Sequence, residues 1–206
     1  MQQQALFRRE GPVAGVDEAG RGPLAGPVVA AAVILDPARR IAGLADSKLL
    51  PEPRRNELAA EIRSVALAWA VAWSDPAEID RLNILQATML AMRRAILGLR
   101  IRPAFVQIDG NRLPDLEFFG DRIHGQTVVG GDATVAAISA ASILAKVRRD
   151  EIMCSFDGLY PGYGFARHKG YGTADHRDRV DRLGPCPAHR QTFRPLSALK
   201  SAHESD

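Results

Sequence analysis

In the run Val13-Ala-Gly-Val-Asp17-Glu18-Ala19-Gly20-Arg21-Gly22-Pro23-Leu24-Ala25-Gly26-Pro27, two adjacent acids close an apolar stretch and lead at once into a glycine-rich turn. Acids at a strand end can hold a divalent cation. Glycines let backbone N–H groups approach phosphate oxygens, and Arg21 adds a charged planar fork. A metal site beside a phosphate site suggests a phosphodiester substrate. An Asp-Glu pair before glycines also suits an ordinary solvated turn, so further acids must decide. They occur at Asp109, in Ala104-Phe-Val-Gln-Ile-Asp109-Gly110-Asn111, and at Asp132, in Val128-Val-Gly-Gly-Asp132-Ala-Thr. Each closes a short apolar or β-branched run beside glycine, as a carboxylate projecting from a strand end or helix start should.

The elements that must position these acids can be read from periodicity. Val13 to Glu18 and Val28 to Leu35 are β-branched, apolar runs, hence two strands joined by the Gly20 to Pro27 turn. Pro51 to Val65 reads as a helix, with Leu58, Ile62 and Val65 at helical spacing, and Ala66 to Trp73 alternates like a strand. Leu85, Met89, Met92, Ile96 and Leu99 mark an amphipathic helix in which the methionines fill core. Phe105 to Ile108 and Ile123 to Val129 are expected as buried strands. From Asp132 to about Asp150 the chain reads helical, with a small-residue segment at 136–142 suited to close packing on a sheet. Thr173 to Leu183 is a short helix capped by Thr173 and stopped by Gly184-Pro185. Together these give an α/β domain on a mixed sheet, with a crevice where Asp17 and Asp109 leave neighbouring strands.

The 206 residues, 46% of them apolar, can bury one full core, and no repeat or long linker divides them. Cys154 and Cys186 lack metal or disulfide spacing and are expected to be buried, reduced thiols. No leader-like or membrane-length apolar stretch occurs, so a cytoplasmic protein with no membrane partner is expected. The net charge of +3 is modest, but its distribution is not. Between Tyr160 and Pro195 lie Arg167, Lys169, Arg177, Arg179, Arg182, Arg190 and Arg194 against Asp175, Asp178 and Asp181, with Tyr160, Tyr163, Phe165, Tyr171, His168, His176 and His189 interleaved. Cations for phosphates and rings for sugars or bases are what a nucleic acid requires. For Arg177, Arg179 and Arg182 a solvated helix face fits equally well. His168 suits either packing or substrate contact, and His124 is expected to be exposed or satisfied.

Several strings in order resemble the bacterial ribonuclease HII family. They are the Gly15 to Val29 segment, Leu44-Ala-Asp46-Ser47-Lys48, Ile108-Asp109-Gly110-Asn111, Gly131-Asp132, the stretch from Ile138 to Asp150, and Tyr163-Gly-Phe-Ala-Arg-His168-Lys169-Gly170-Tyr171-Gly172-Thr173. The resemblance runs from about Val13 to Pro195. It implies a ribonuclease H-like, mixed five-stranded sheet flanked by helices, with a helical C-terminal extension. The implied division is a single domain over 1–206: a catalytic core over about 11–155, a substrate-binding extension over about 156–196 and a polar tail at 197–206. The implied activity is endonucleolytic hydrolysis of RNA in RNA–DNA hybrids, including cleavage 5′ to a lone ribonucleotide in duplex DNA. By the same resemblance Asp17, Glu18, Asp109 and Asp132 occupy metal-binding positions. Gly20, Arg21 and Gly22 match a loop that reads the ribose 2′-OH, Tyr171 matches the tyrosine that stacks at the RNA-to-DNA junction, and Lys48 and Lys169 resemble phosphate-facing positions.

Phosphodiester hydrolysis needs an activated water, a neutralised phosphorane and a stabilised leaving oxyanion, and two nearby cations supply all three. Hard carboxylates suit Mg²⁺ or Mn²⁺ better than zinc. Asp17 is then expected to bridge two cations, giving 5′-phosphate and 3′-hydroxyl products. Two positions depart from the usual family pattern: Leu49-Leu50-Pro51 follows Lys48, and Gly130 stands where lysine is common, so phosphate contacts are lost. A DNA-only nuclease or strand transferase on the same scaffold would share the acids but needs no 2′-OH reader. A non-catalytic nucleic-acid-binding module would be weakened by four acids near phosphate. A monomer is expected, and Leu196 to Asp206 carries no sliding-clamp peptide.

Overall fold

The computed structural model describes residues 11–45 and 47–194. Asp46, the polar tail and the Leu196 to Asp206 segment lie outside the described residues. Strands β1 (Val13–Ala19) and β2 (Val28–Ile34) form a hairpin, followed by α1 (Glu52–Val65), β3 (Ala68–Ser74), α2 (Pro76–Leu82) and α3 (Ile84–Leu97). Then come β4 (Phe105–Asp109), the small β5 (Glu117–Phe118) and β6 (Asp121–Arg122), and β7 (His124–Val128). Helices α4 (Gly131–Thr134), α5 (Ala136–Leu159), α6 (Phe165–His168) and α7 (Ala174–Leu183) complete the chain.

The main sheet has the order β3-β2-β1-β4-β7. The β1–β2 and β2–β3 pairs are antiparallel, while β1–β4 and β4–β7 are parallel. Side-chain alternation sorts residues to two faces. Ala14, Val16, Val28, Ala30, Ala32, Val106 and Ile108 pack in a core with α3, including Met92 and Ile96. Val29, Ala31 and Val33 pack on the other side with Leu58 and Ile62 of α1 and with Ala140, Ala141 and Leu144 of α5. The small residues expected between 136 and 142 do allow close approach. At Gly15 a Cβ would lie 2.2 Å from the Ala137 carbonyl carbon, so only glycine lets β1 and α5 meet there.

Three expectations need correction. The strand at β7 is not buried: its residues are exposed or half-buried, because it is an edge strand whose sequence, His-Gly-Gln-Thr-Val, offers little apolar area to a core. The helix expected from Asp132 is two, broken at Val135, whose extended backbone (φ −119°, ψ 111°) turns the short α4 away from α5. Cys154 is exposed and Cys186 half-buried, both free, because Cys154 sits on the outer side of α5. Thr173 does cap α7, its hydroxyl accepting from the His176 N–H at 3.2 Å. Among the described residues no helix is long and apolar enough to cross a membrane.

Candidate active site

Asp17 and Asp109 meet because register and parity agree. Val16 pairs with Ile108 in the parallel β1–β4 ladder, so the next residues stand side by side. Since Val16 and Ile108 face α3, Asp17 and Asp109 face the side covered by α4 and α5. Asp132, on α4, completes a set: carboxylate oxygens of Asp17, Asp109 and Asp132 lie within 4.8 Å of one another. The Gly131 N–H donates to Asp109 Oδ1 at 2.8 Å, tying α4 to the end of β4. Glu18 falls outside this close trio. Its carboxylate meets Arg21, with Nη1 to Oε1 at 3.3 Å.

Burial dominates the electrostatics. It raises the Asp17 carboxyl well above the ordinary range, and the charges of Glu18 and Asp109 push it the same way. Burial also raises Glu18, offset in part by Arg21. A cluster of desolvated acids that repel one another gains by taking up a cation, and an all-oxygen donor set matches a hard one such as Mg²⁺ or Mn²⁺.

A cleft of about 240 Å³ opens beside the acids, lined by Glu18, Gly20, Arg21, Gly22, Lys48 and Tyr171, with Ser47 and Lys146 on its wall. Lys48 is exposed and its Nζ lies 3.9 Å from Asp132 Oδ2. Tyr171 is 46% exposed, so its ring is available on one side, while the Arg149 guanidinium sits 5.8 Å from its centroid. Lys169 is not in this cleft: its ammonium donates to Cys154 Sγ at 3.0 Å, further along the surface. Leu49 is 78% exposed beside Lys48. Gly130 has φ +65°, a left-handed turn that glycine enters without strain.

Within the basic stretch, Arg190 must leave the set expected along a duplex. It is fully buried, and so is Arg149 of α5. Arg190 donates to the carbonyls of Gly20, Arg21 and Gly26 at 2.5, 2.8 and 2.9 Å. Arg149 donates to those of Pro27, Ala25 and Lys169 at 3.1, 3.1 and 3.0 Å. Burial, with the neighbouring charge of Arg149, pulls Arg190 down to about 9, which leaves it charged at neutral pH. Desolvating a cation costs several kcal/mol, but a charge-assisted hydrogen bond returns about 1.5–3 kcal/mol, so three per guanidinium offset the cost. His168 is also structural: Nε2 donates to the Tyr163 carbonyl at 2.8 Å and Nδ1 accepts from the Gly170 N–H at 3.2 Å. His124 is exposed.

Sequence patterning did not single out Arg149, Lys146 or the buried Ser47–Ser142 hydrogen bond of 2.8 Å, and it put Arg190 among the substrate-facing cations. The one available signal was Arg149 itself, a cation embedded in the apolar face of a helix.

The sequence pattern of the ribonuclease HII family matches residues 14–196. The chain belongs to the ribonuclease HII family. Ribonuclease HII of Chromobacterium violaceum is 60% identical over 192 residues, covering 93% of this chain and 95% of that relative. The crystal structure of ribonuclease H2 from Pyrococcus horikoshii OT3 superposes with a TM-score of 0.79 at 25% identity, over 95% of this chain and all of that one. The ribonuclease HII in the PCNA complex from Archaeoglobus fulgidus gives 0.74 at 27% identity, over 89% and 95%. The protein is thus a ribonuclease H, a hydrolase with the ribonuclease H fold from a divalent-metal-dependent family, and the mixed five-stranded sheet expected from the resemblance is the one found.

Proposed function

We propose that this ribonuclease H cleaves the RNA strand of RNA–DNA hybrids and also cuts 5′ to single ribonucleotides embedded in duplex DNA. The observation that carries the reading is the convergence of Asp17, Asp109 and Asp132 beside a cleft lined by Glu18, Lys48, the Gly20-Arg21-Gly22 loop and Tyr171. Asp17, Asp109 and Asp132, with Glu18 beside them, would hold one or two Mg²⁺ or Mn²⁺ ions. Bound there, two cations supply water activation, charge neutralisation and leaving-group stabilisation, giving 5′-phosphate and 3′-hydroxyl ends.

The chain's own groups do the recognition. Backbone groups of Gly20 to Gly22 read the ribose 2′-OH, and a DNA-only enzyme has no use for that loop beside a tyrosine. Tyr171 offers its exposed face to the sugar on the DNA side and its hydroxyl to the ribose. Arg21 and Lys48 neutralise phosphates at the cleft, and Lys169 meets a phosphate farther along the duplex. In this reading residues 11–155 form the catalytic core, and 156–196 the extension that grips substrate. No sliding-clamp partner is part of this reading, and a monomer suffices for the chemistry.

The test is a duplex containing one ribonucleotide, incubated with Mg²⁺, Mn²⁺ or chelator. Cleavage on the 5′ side that requires either metal is expected. Cutting of long hybrids alone would remove the single-ribonucleotide activity.

A further inference from the structure

The turn from Cys186 to Arg190 touches both elements assigned to ribose reading, though one comes from the start of the chain and the other from near its end. From one side Arg190 grips the loop. Besides its three guanidinium bonds, its backbone N–H donates to the Leu24 carbonyl at 2.9 Å, and the Gly26 N–H donates to the Ala188 carbonyl at 2.8 Å. Arg190 thereby fixes the carbonyls of Gly20 and Arg21, and with them the peptide planes of the loop that lines the cleft.

From the other side a line of histidines reaches Tyr171. His176 Nδ1 lies 2.9 Å from the Tyr171 carbonyl, so it carries the proton and donates. His176 Nε2 must then accept, and its partner at 3.1 Å is His189 Nε2, which donates. That leaves His189 Nδ1 as an acceptor, and the Cys186 N–H supplies it at 3.0 Å. One tautomer of each neutral ring satisfies the whole line. A metal ion finds no vacant nitrogen here, so the cluster is not a second metal site.

We infer that Arg190 and His189 are positioning residues that lock the Gly20-Arg21-Gly22 loop and Tyr171 in one geometry relative to each other. The inference rests on the proposed ribose reading and adds what makes it accurate: misplacing a bound group by about an ångström can cost on the order of a hundredfold. Long hybrids offer many riboses in many registers and should tolerate a loosened reader better than a single ribonucleotide does.

The experiment compares kcat and KM on a single-ribonucleotide duplex and on a long hybrid. Arg190→Lys keeps the charge but loses the fork, so single-ribonucleotide kcat should fall roughly tenfold or more, the hybrid less, with KM little changed. His189→Leu should shift the same ratio, whereas His189→Gln, whose amide can still donate to His176, should restore it. If Arg190→Lys fails to fold, the His189 pair alone decides. In combination with Tyr171→Ala, His189→Leu should add little, because both act through one contact. Equal losses on both substrates, or additive ones, would make the turn a plain structural brace and overturn the inference. If Tyr171→Ala by itself leaves the substrate ratio unchanged, the ribose reading fails first and the inference with it.

Discussion

The Asp17, Asp109 and Asp132 carboxylates and the Arg149 and Arg190 guanidiniums are two clusters of like charge that both adjoin the Gly20 to Pro27 loop, and they are built by different rules. The arginines are saturated with fixed partners, six backbone carbonyls between them, and so hold their loop permanently. In the acidic cluster the Gly131 N–H donates to Asp109 and the Glu18 N–H donates to Asp17 at 2.7 Å, yet burial and the neighbouring acids still hold the Asp17 carboxyl well above its ordinary range. Stability governs the first cluster. In the second it gives way to the ability to take up a cation and a phosphate.

The sharpest break of that contrast is Asp109→Asn. Asparagine keeps the size and can still accept from Gly131, but removes a metal-binding charge, so cleavage should drop by on the order of 10²–10³-fold or more. Without metal, its melting temperature should be equal to or above that of the parent, since a repulsion raising Asp17 is gone. Arg190→Ala should do the reverse to stability, reducing the five guanidinium bonds to loop carbonyls to the two that Arg149 makes to Pro27 and Ala25. Near-normal cleavage by Asp109→Asn at saturating Mg²⁺ would remove Asp109 from the metal site.

Tyr171 lies between the two clusters, packed on Arg149 yet open to the cleft. Loss of one neutral hydrogen bond in Tyr171→Phe should cost about 1 kcal/mol, or roughly fivefold, on single-ribonucleotide cleavage. Tyr171→Ala also removes a stacking platform, a further 1–3 kcal/mol or so. An equal loss on long hybrids, with a lowered melting temperature, would make the tyrosine a plug for its turn.

The two clusters also differed in how far the sequence revealed them. Acids that end apolar runs beside glycine announce themselves locally, and the parity of Asp17 and Asp109 follows once the strands pair. The β7 edge, the kink at Val135 and the exposure of Cys154 depend on which faces the assembled sheet covers, and no local period carries that. Arg190 misled for the same reason. In a basic stretch it looks like its neighbours, and only the return of residues 186–190 onto the first loop buries it.

A smaller effect separates exposed cations from these buried ones. Lys169 sits on the surface beside Cys154, so Lys169→Ala should weaken binding to all duplexes alike and lower the slope of log affinity against log salt by roughly one. Arg190→Lys should leave that slope unchanged. A sequence-dependent loss for Lys169→Ala would place that lysine off the phosphate track.

The smallest expected effect concerns acid. Burial lowers both His176 and His189 to about 4, against about 6.5 in the unfolded chain. A depressed folded value means that the unfolded chain takes the proton first. The neutral rings therefore stabilise the protein fully above about pH 6.5, and that contribution is lost as pH falls toward 4. Protonation would also set a second N–H of His176 against the donor on His189, breaking the line to Tyr171. The acidic cluster responds with the opposite sign, because raised carboxyls relieve repulsion as they protonate, so the total curve mixes both. The difference between parent and His189→Gln isolates the ring. Between pH 6.5 and 4 the parent should lose stability more steeply, by at most about 1.4 kcal/mol per pH unit for one proton and less where solvent reaches. Chemical denaturation at several pH values measures it; parallel curves would show that His189 titrates normally and that the neutral line does not exist in solution.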